Sequence, residues 1–333
     1  MNINNAPDRG FGEGCAPGRK NVSLCVIVPI YNESPCLPEL FLRLKNVRDS
    51  AGFSSFTVIF VDDGSSDDSP EMLRTFSARN AWVRCRLLTR NFGHQIAVTA
   101  GLDVASADFV AIIDGDLQDP PELIPMLVDL ALKEDVNVVY GKRLSRPGES
   151  RFKQITAKIF YRVIRLASGL EIPPDTGDFR VVSHKVVAEL QTLRESHRFI
   201  RGVIPWLGFS AIPFYYHREV RHAGDTKYPL RKMFILAADA ITGFSVLPIR
   251  LVQVLAIGLL TLGGIGLLTG TITGDIQENN FPTLFIVACM TFLAGIILLG
   301  IGIVGGYVHR IQSDSVGRPL YVVDEDTGTK GDL

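Results

Sequence analysis

The sequence predicts an α/β domain built on a mostly parallel sheet, followed by interfacial amphipathic helices and two transmembrane helices. Three observations carry this expectation. Over the first 240 residues, apolar runs of strand length alternate with segments of helix length, the pattern of a sheet covered on both faces. Polar clusters (PIYNE, DDGSSD, RNFGH, DGDLQD) recur along that alternation, mostly straight after the apolar runs. Between Leu251 and Val308 there is no Lys or Arg, although the chain carries 34 basic against 35 acidic residues.

A 333-residue chain suggests about two units at the usual ~150 residues per domain. The net charge of −1 gives no basic field for nucleic acid, and a chain that is 47% hydrophobic is too apolar for disorder. The segregation of charge also speaks against a wholly soluble protein.

Residues 1–20 lack an apolar core and are rich in Gly, Pro and Asn, so they predict a disordered tail and no cleavable signal peptide. Leu24–Ile30 is the first strand, apolar throughout as burial on both faces requires. Thr57–Val61 repeats the pattern, Arg86–Thr89 is a weaker third strand, Phe109–Ile113 a fourth and Val136–Tyr140 a fifth. Helices are expected over Pro38–Ser50, Ser69–Asn80, His94–Ala105 and Pro121–Glu134. In such sheets ligands bind beyond the strand C-termini, where the polar clusters fall. The α/β domain is thus expected over residues 21–228.

Lys153–Leu166 spaces apolar residues at helical intervals with Lys153, Lys158, Arg162 and Arg165 on the rest of its surface. Such a helix suits either an anionic membrane surface or a core-facing position with a solvated basic side. Residues 229–250 have similar character and read as a juxtamembrane amphipathic helix. Residues 251–308 read as a two-helix hairpin: Leu251–Ile272 is long enough for a hydrocarbon core, and Phe281–Val308 is 28 uncharged residues. Arg250 and Arg310 flank the pair, which by the positive-inside rule puts both termini in the cytoplasm; the membrane is expected to be the inner (plasma) membrane. Residues 309–333 are expected to be a cytoplasmic tail, short and acidic after Pro319, with partial order expected at Leu320–Val323. The five cysteines are odd in number and scattered, and read as free thiols.

Asp114 and Asp116 end a predicted strand at positions i and i+2, which point the same way in extended chain. Carboxylates so placed repel unless a cation lies between them, and hard oxygen ligands suit Mg²⁺ or Mn²⁺ rather than zinc. Gln118 offers a third oxygen. The DDGSSD cluster suits an Asx turn or a helix cap, from Asp67 or Ser66, and leaves Asp63 able to meet a base or ribose. Tyr31 in PIYNE could stack on a base. His94 reads as a hydrogen bonder at a loop or helix start rather than as a metal ligand.

PIYNE, DDGSSD, RNFGHQ, DGDLQDPPE, GKR, TGDFR, RFIRG…WLGF and AGDTKYPLRKM follow one another as in family 2 glycosyltransferases of the polyprenyl-phosphate branch. The chain resembles that family over roughly residues 22–310, nearest to its bactoprenol (undecaprenyl-phosphate) glucosyltransferase group and more distantly to dolichol-phosphate mannose synthases. The resemblance implies a Rossmann-like fold of GT-A type. It implies that Pro29, Tyr31, Glu33, Val61, Asp63 and Asp114 hold a nucleotide-sugar, most simply UDP-glucose. It implies a metal site at Asp114, Asp116 and Gln118. Arg143 would meet an acceptor phosphate, with Arg221 and Lys227 closing over phosphates. Asp178, Asp116 and Arg143 would form the catalytic set, Asp178 serving as an orienter or weak base, against the plainer alternative of a cap or a buried pair with Arg180. It also implies a polyprenyl phosphate acceptor, a bilayer and a homo-oligomer, taken as a tetramer.

The acceptor chemistry agrees with this: a phosphate monoester is mostly a dianion at neutral pH and needs arginines more than a strong base. Two other readings are a processive polysaccharide synthase, whose characteristic QxxRW is absent, and a catalytically silent scaffold that binds nucleotide-sugar. A dinucleotide oxidoreductase is excluded because no GxGxxG follows any strand.

Overall fold

The computed structural model describes residues 19–144, 176–193, 195, 200–217, 252–258, 261 and 283–327. Arg221, Lys227, the 1–18 tail and the basic segments 153–166 and 229–245 lie outside the described residues. The chain divides into two units: the first includes residues 1–161, 170–227 and 319–333, the second 162–169 and 228–318.

The first unit is an eight-stranded sheet. In chain order its strands are β1 (Ser23–Ile30), β2 (Ser55–Asp62), β3 (Val83–Leu88), β4 (Phe109–Ile112), β5 (Val138–Arg143), β6 (Thr176–Ser183), β7 (Ala211–Tyr216) and β8 (Val323–Asp326). Their spatial order is β7-β5-β6-β4-β1-β2-β3-β8. The expected parallel arrangement holds at the centre, where β1 runs parallel to β2 and β4, and β2 to β3. The sheet becomes mixed outward, because β6 is antiparallel to both β4 and β5, and β8 is antiparallel to β3. Strand β6 carries the TGDFR segment, for which sequence reading assigned no element.

The central strands form for the reason their composition suggests. Seven of the eight residues of β1 are buried, and Val26, Ile27 and Val28 are fully so. Each such side chain contributes ~1.5–3 kcal/mol on burial.

Helix α1 (Leu37–Ala51) turns Leu37, Leu40, Leu44 and Val47 inward, starts with Pro38 and stops at the left-handed Gly52. Helix α2 (Ser69–Arg79) follows a cap-like contact in which the Ser69 amide donates to Asp67 Oδ1 at 3.0 Å. Helices α3 (His94–Leu102) and α4 (Ile124–Glu134) follow the RNFG and DGDLQDP loops. Helices α5 (His184–Thr192) and α6 (Ile200–Trp206) lie between β6 and β7.

The C-terminal segment is more firmly held than a partly ordered tail, and its strand lies just beyond the stretch expected to be ordered. Arg86 Nε pairs with Asp326 at 2.7 Å, Arg74 with Glu325 at 2.8 Å, and the Tyr321 hydroxyl donates to Asp103 at 2.8 Å. Strand β8 thereby covers the ladder edge that β3 would otherwise leave open. Buried Cys25, Cys36 and Cys85 are free thiols, as expected.

In the second unit, residues 252–258 are helical and α7 (Thr283–Ser315) runs 33 residues. A Cβ on Gly300 of α7 would lie 3.2 Å from Val252 Cγ1, so the two helical pieces meet there. Phe292, Ile297, Leu298, Ile301 and Val304 of α7 are all exposed. Among the described residues no helix is long and apolar enough to cross a membrane. The two expected spans are therefore not established by the described chain.

Candidate active site

The loops that leave β1 and β2 are laced together by short polar side chains. Asn32, in the left-handed region at φ 53°, accepts from the Ser66 amide at 2.8 Å, while its own amide donates to Ser65 Oγ at 2.9 Å. Asp67 Oδ2 accepts from the Ser34 amide at 3.0 Å, and Asp62 Oδ2 from the Ser65 amide at 3.0 Å, an Asx turn as the sequence suggested. Tyr31 stands 42% exposed at this edge, with Glu33 half-buried beside it. Pro29 and Val61 are buried within β1 and β2, and Val61 packs toward Gly101 of α3.

Asp63 is 2% exposed, and its two oxygens accept the backbone amides of Phe92 at 2.7 Å and Gly93 at 2.9 Å. Its visible work is to pin the RNFG loop that opens α3 and so to set His94.

The acid cluster follows from strand register. Ile112 of β4 faces Arg180 of β6 in an antiparallel pair. Continuing two residues along each chain sets Asp114 opposite Asp178. Two carboxylates brought together this way need cations, and the protein supplies two. Arg201 of α6 clasps Asp178 through both oxygens, Nε to Oδ1 and Nη2 to Oδ2, each at 2.7 Å. His94 Nε2 lies 2.8 Å from Asp178 Oδ2 and 3.6 Å from Asp114 Oδ1. Gln95 completes the clasp: its Nε2 donates to Asp178 at 3.3 Å, and its Oε1 accepts the Ile200 amide at 3.0 Å.

These contacts drive the two acids apart. Burial alone would raise the Asp178 pKa, but Arg201 and then His94 hold its carboxyl well below the usual carboxylate range. Asp114 goes the other way, up to about 6, first through burial and then through the like charges of Asp119, Asp178 and Asp116. Burial opposes a charge on His94, yet the hydrogen bond and charge of Asp178, with help from Asp114, carry its pKa up to about 9. Arg180 is not the main partner of Asp178. Its guanidinium donates to the Gly177 carbonyl at 2.9 Å and approaches Asp178 Oδ1 only at 3.9 Å.

His94, Asp114 and Asp178 present ligand atoms within 4.8 Å of one another, a group that could hold a metal ion. Their chemistry narrows this. Asp178 is already chelated by Arg201, and a protonated imidazole repels a cation. Asp114, crowded by like charges, is the member that fits a hard divalent ion, which would relieve that crowding. Asp116 stands two residues on, and its Oδ1 accepts the Gln118 amide at 3.1 Å.

Arg143 ends β5, and burial, which opposes its charge, is more than offset by Asp119 and Tyr216, with a smaller share from Asp114. A Cβ on Gly177 would lie 2.6 Å from Arg143 Nη2, so the guanidinium rests in the space that this glycine leaves. Arg143 Nε is buried and meets no hydrogen-bond partner among the described residues. Such a donor suits an anion.

Sequence reasoning did not select Arg201, and treated His94 as a plain hydrogen bonder. Arg201 sits in the RFIRG motif, but no local spacing links it to Asp178, 23 residues earlier.

The sequence matches the model of the family described as "Glycosyl transferase family 2" over residues 25–191. An uncharacterized glycosyltransferase of Bacillus subtilis, YkcC, is 39% identical over 93% of this chain and 95% of its own length. A bactoprenol glucosyl transferase of Shigella phage SfV is 32% identical over 92% of this chain and 99% of its own. Among solved structures, the Mycobacterium tuberculosis glucosyl-3-phosphoglycerate synthase crystallised with Mn²⁺, UDP-glucose and phosphoglyceric acid aligns at a TM-score of 0.47. That alignment has 20% identity over 70% of this chain and 83% of the other.

Proposed function

The chain belongs to glycosyl transferase family 2 and is a hexosyltransferase; from that premise we propose that it moves a hexose, most simply glucose from UDP-glucose, to a polyprenyl phosphate such as undecaprenyl phosphate. The observation that carries this reading is the juxtaposition of opposite needs at one sheet edge. Asp114 is a carboxylate that calls for a cation, and Arg143 is a buried guanidinium whose Nε calls for an anion. The Arg143 charge feels Asp114 directly. A transfer between two phosphate-bearing substrates needs both.

In this reading an acceptor phosphate oxygen attacks sugar C1. The new O–C1 bond forms as the bond from C1 to the donor diphosphate breaks, and the electron pair leaves with the nucleoside diphosphate. A single in-line displacement inverts the anomeric centre. The acceptor's second pKa is near 6, so the nucleophile is mostly a dianion at neutral pH and no side chain has to take a proton from it. Arg143, with Arg221 and Lys227, would hold the phosphates. Asp178 serves as an orienter: bound by Arg201 and depressed in pKa, it is a poor general base, and it positions His94 and the start of α3. Tyr31, Glu33 and Asp63, with Pro29 and Val61 beneath, would form the nucleotide side. A Mg²⁺ or Mn²⁺ ion held by Asp114, with Asp116 and Gln118, would neutralise charge growing on the departing diphosphate.

We also propose that the chain is membrane-bound, with its catalytic unit and both termini on the cytoplasmic side. Strand β8 supports this: it follows residues 228–318 in the chain and still lies in the same sheet as β1–β7. Any insertion into a bilayer then crosses an even number of times, as a hairpin does. The exposed apolar residues of α7 suit lipid.

The test uses purified protein in detergent, short polyprenyl phosphate and a panel of labelled nucleotide-sugars, with Mg²⁺, Mn²⁺ or EDTA. Metal-dependent label entering organic solvent from one donor, and absent in Asp114→Ala, is the expected result. Long polymer instead would mean a synthase, and no turnover by folded protein would mean a scaffold.

A further inference from the structure

We infer that Tyr216 is a positioning residue that ties the donor-side DGDLQD loop to the acceptor-side Arg143. This rests on the proposed roles of those two elements. Tyr216 is the last residue of β7 and is 3% exposed. Its hydroxyl donates a short hydrogen bond to Asp119, the fully buried end of the DGDLQD loop. The same oxygen accepts from the Arg143 guanidinium. One phenolic oxygen therefore joins both substrate sides.

The placement is built rather than incidental. The β5–β7 register sets Arg143 directly opposite Tyr216. The Tyr216 ring meets Phe179 of β6 edge-on, with centroids 5.3 Å apart. A Cβ on Gly141 would lie 2.8 Å from the Tyr216 ring and 2.7 Å from the Phe179 ring, so that position has to remain open. Within the loop, Leu117 is held at φ 61°, a left-handed conformation that is costly for a branched side chain. A loop strained there needs an anchor just beyond it, and Asp119, two residues on, is anchored by Tyr216. Without the hydroxyl, the loop carrying Asp114, Asp116 and Gln118 loses its tie to β7, and Arg143 loses the acceptor that aims it.

The variant Tyr216→Phe keeps the ring and removes only the oxygen. Two constants are measured in the full-length protein. One is the half-saturating Mn²⁺ concentration, followed by electron paramagnetic resonance with UDP present. The other is the KM for short polyprenyl phosphate. Both are expected to rise about 10-fold or more, the usual cost of losing a group that orients a site, with the thermal midpoint little changed. Tyr215→Phe, on the exposed neighbour, is expected to move neither.

The inference is overturned if either constant in folded Tyr216→Phe stays within about twofold of wild type, since a purely structural hydroxyl would alter the midpoint alone. Should Tyr216→Phe fail to fold, Asp119→Asn weakens the same link and must produce the same two shifts. A wild type that binds Mn²⁺ yet transfers no sugar overturns the proposed function instead, and the Mn²⁺ constant then decides the role of Tyr216.

Discussion

The two acids that face each other across β4 and β6 live in opposite electrostatic worlds. On the β6 side, Asp178 is fully paired: Arg201 takes both oxygens and His94 adds a third contact. On the β4 side, burial and the like charges of Asp119, Asp178 and Asp116 outweigh His94, 3.6 Å away, and raise the Asp114 pKa to about 6. Proximity in a site therefore does not imply shared chemistry. The paired acid is a strut, and the crowded acid is the one placed to work on a substrate or cation.

The largest test of that contrast is Asp114→Asn. If this carboxylate is the cation's main anchor, several kcal/mol of charge stabilisation go with it, and transfer to lipid phosphate should fall about a thousandfold or more. Assays of label partitioning with and without EDTA would show it. Activity within tenfold of wild type would erase the distinction between the two acids.

Next comes Arg201→Leu, which strands the Asp178 carboxylate in a site where its side chain is only 4% exposed. Breaking such a pair should destabilise the fold by about 3 kcal/mol, read from urea midpoints. Adding Asp178→Asn to that variant should recover part of the loss, because the charge that lost its bidentate partner is then gone. No recovery would mean that Arg201 acts through other contacts.

A smaller effect is expected from Gly177→Ala. The new Cβ would press on Arg143 Nη2, displacing the end of a long side chain rather than backbone. The fold should hold, while the KM for acceptor rises about tenfold, the equivalent of one charge-assisted hydrogen bond. An unchanged KM would remove Arg143 from the acceptor side.

The smallest effect is the pH response of metal-free protein. The folded pKa of Asp178 is depressed, so its contribution to stability is full above its unfolded value, about 4, and is lost as pH falls through the folded pKa. The folded pKa of Asp114 is raised, so its contribution is full below about 4 and is lost as pH rises through about 6. Asp178→Asn should flatten the acid limb of a plot of urea midpoint against pH, and Asp114→Asn the limb between pH 4 and 7. Identical effects of the two variants would contradict the opposite shifts.

The central strands were legible because β1, β2 and β4 each contain an unbroken apolar run, and burial on both faces leaves little else such runs can do. The DGD motif was legible because it ends one of those runs. Strands β6, β7 and β8 were not picked out as strands. TGDFRVVS and VDED carry charges, AIPFYY is short and contains a proline, and each becomes a strand only because a neighbour offers a ladder.

By itself, then, the sequence determined the α/β alternation, the edge at which the polar loops gather and the place of Asp114 and Asp116, since each follows from local apolar pattern and chain order. Tertiary structure alone decided which charges pair. Arg201 rather than Arg180 holds Asp178, Asp63 spends its oxygens on the Phe92 and Gly93 amides, and residues 323–326 return to close the far edge of the sheet. The physical reason is that a charge-assisted contact depends on distances of about 3 Å between groups tens to hundreds of residues apart in sequence. Strand register and helix placement set those distances, and no local spacing encodes them.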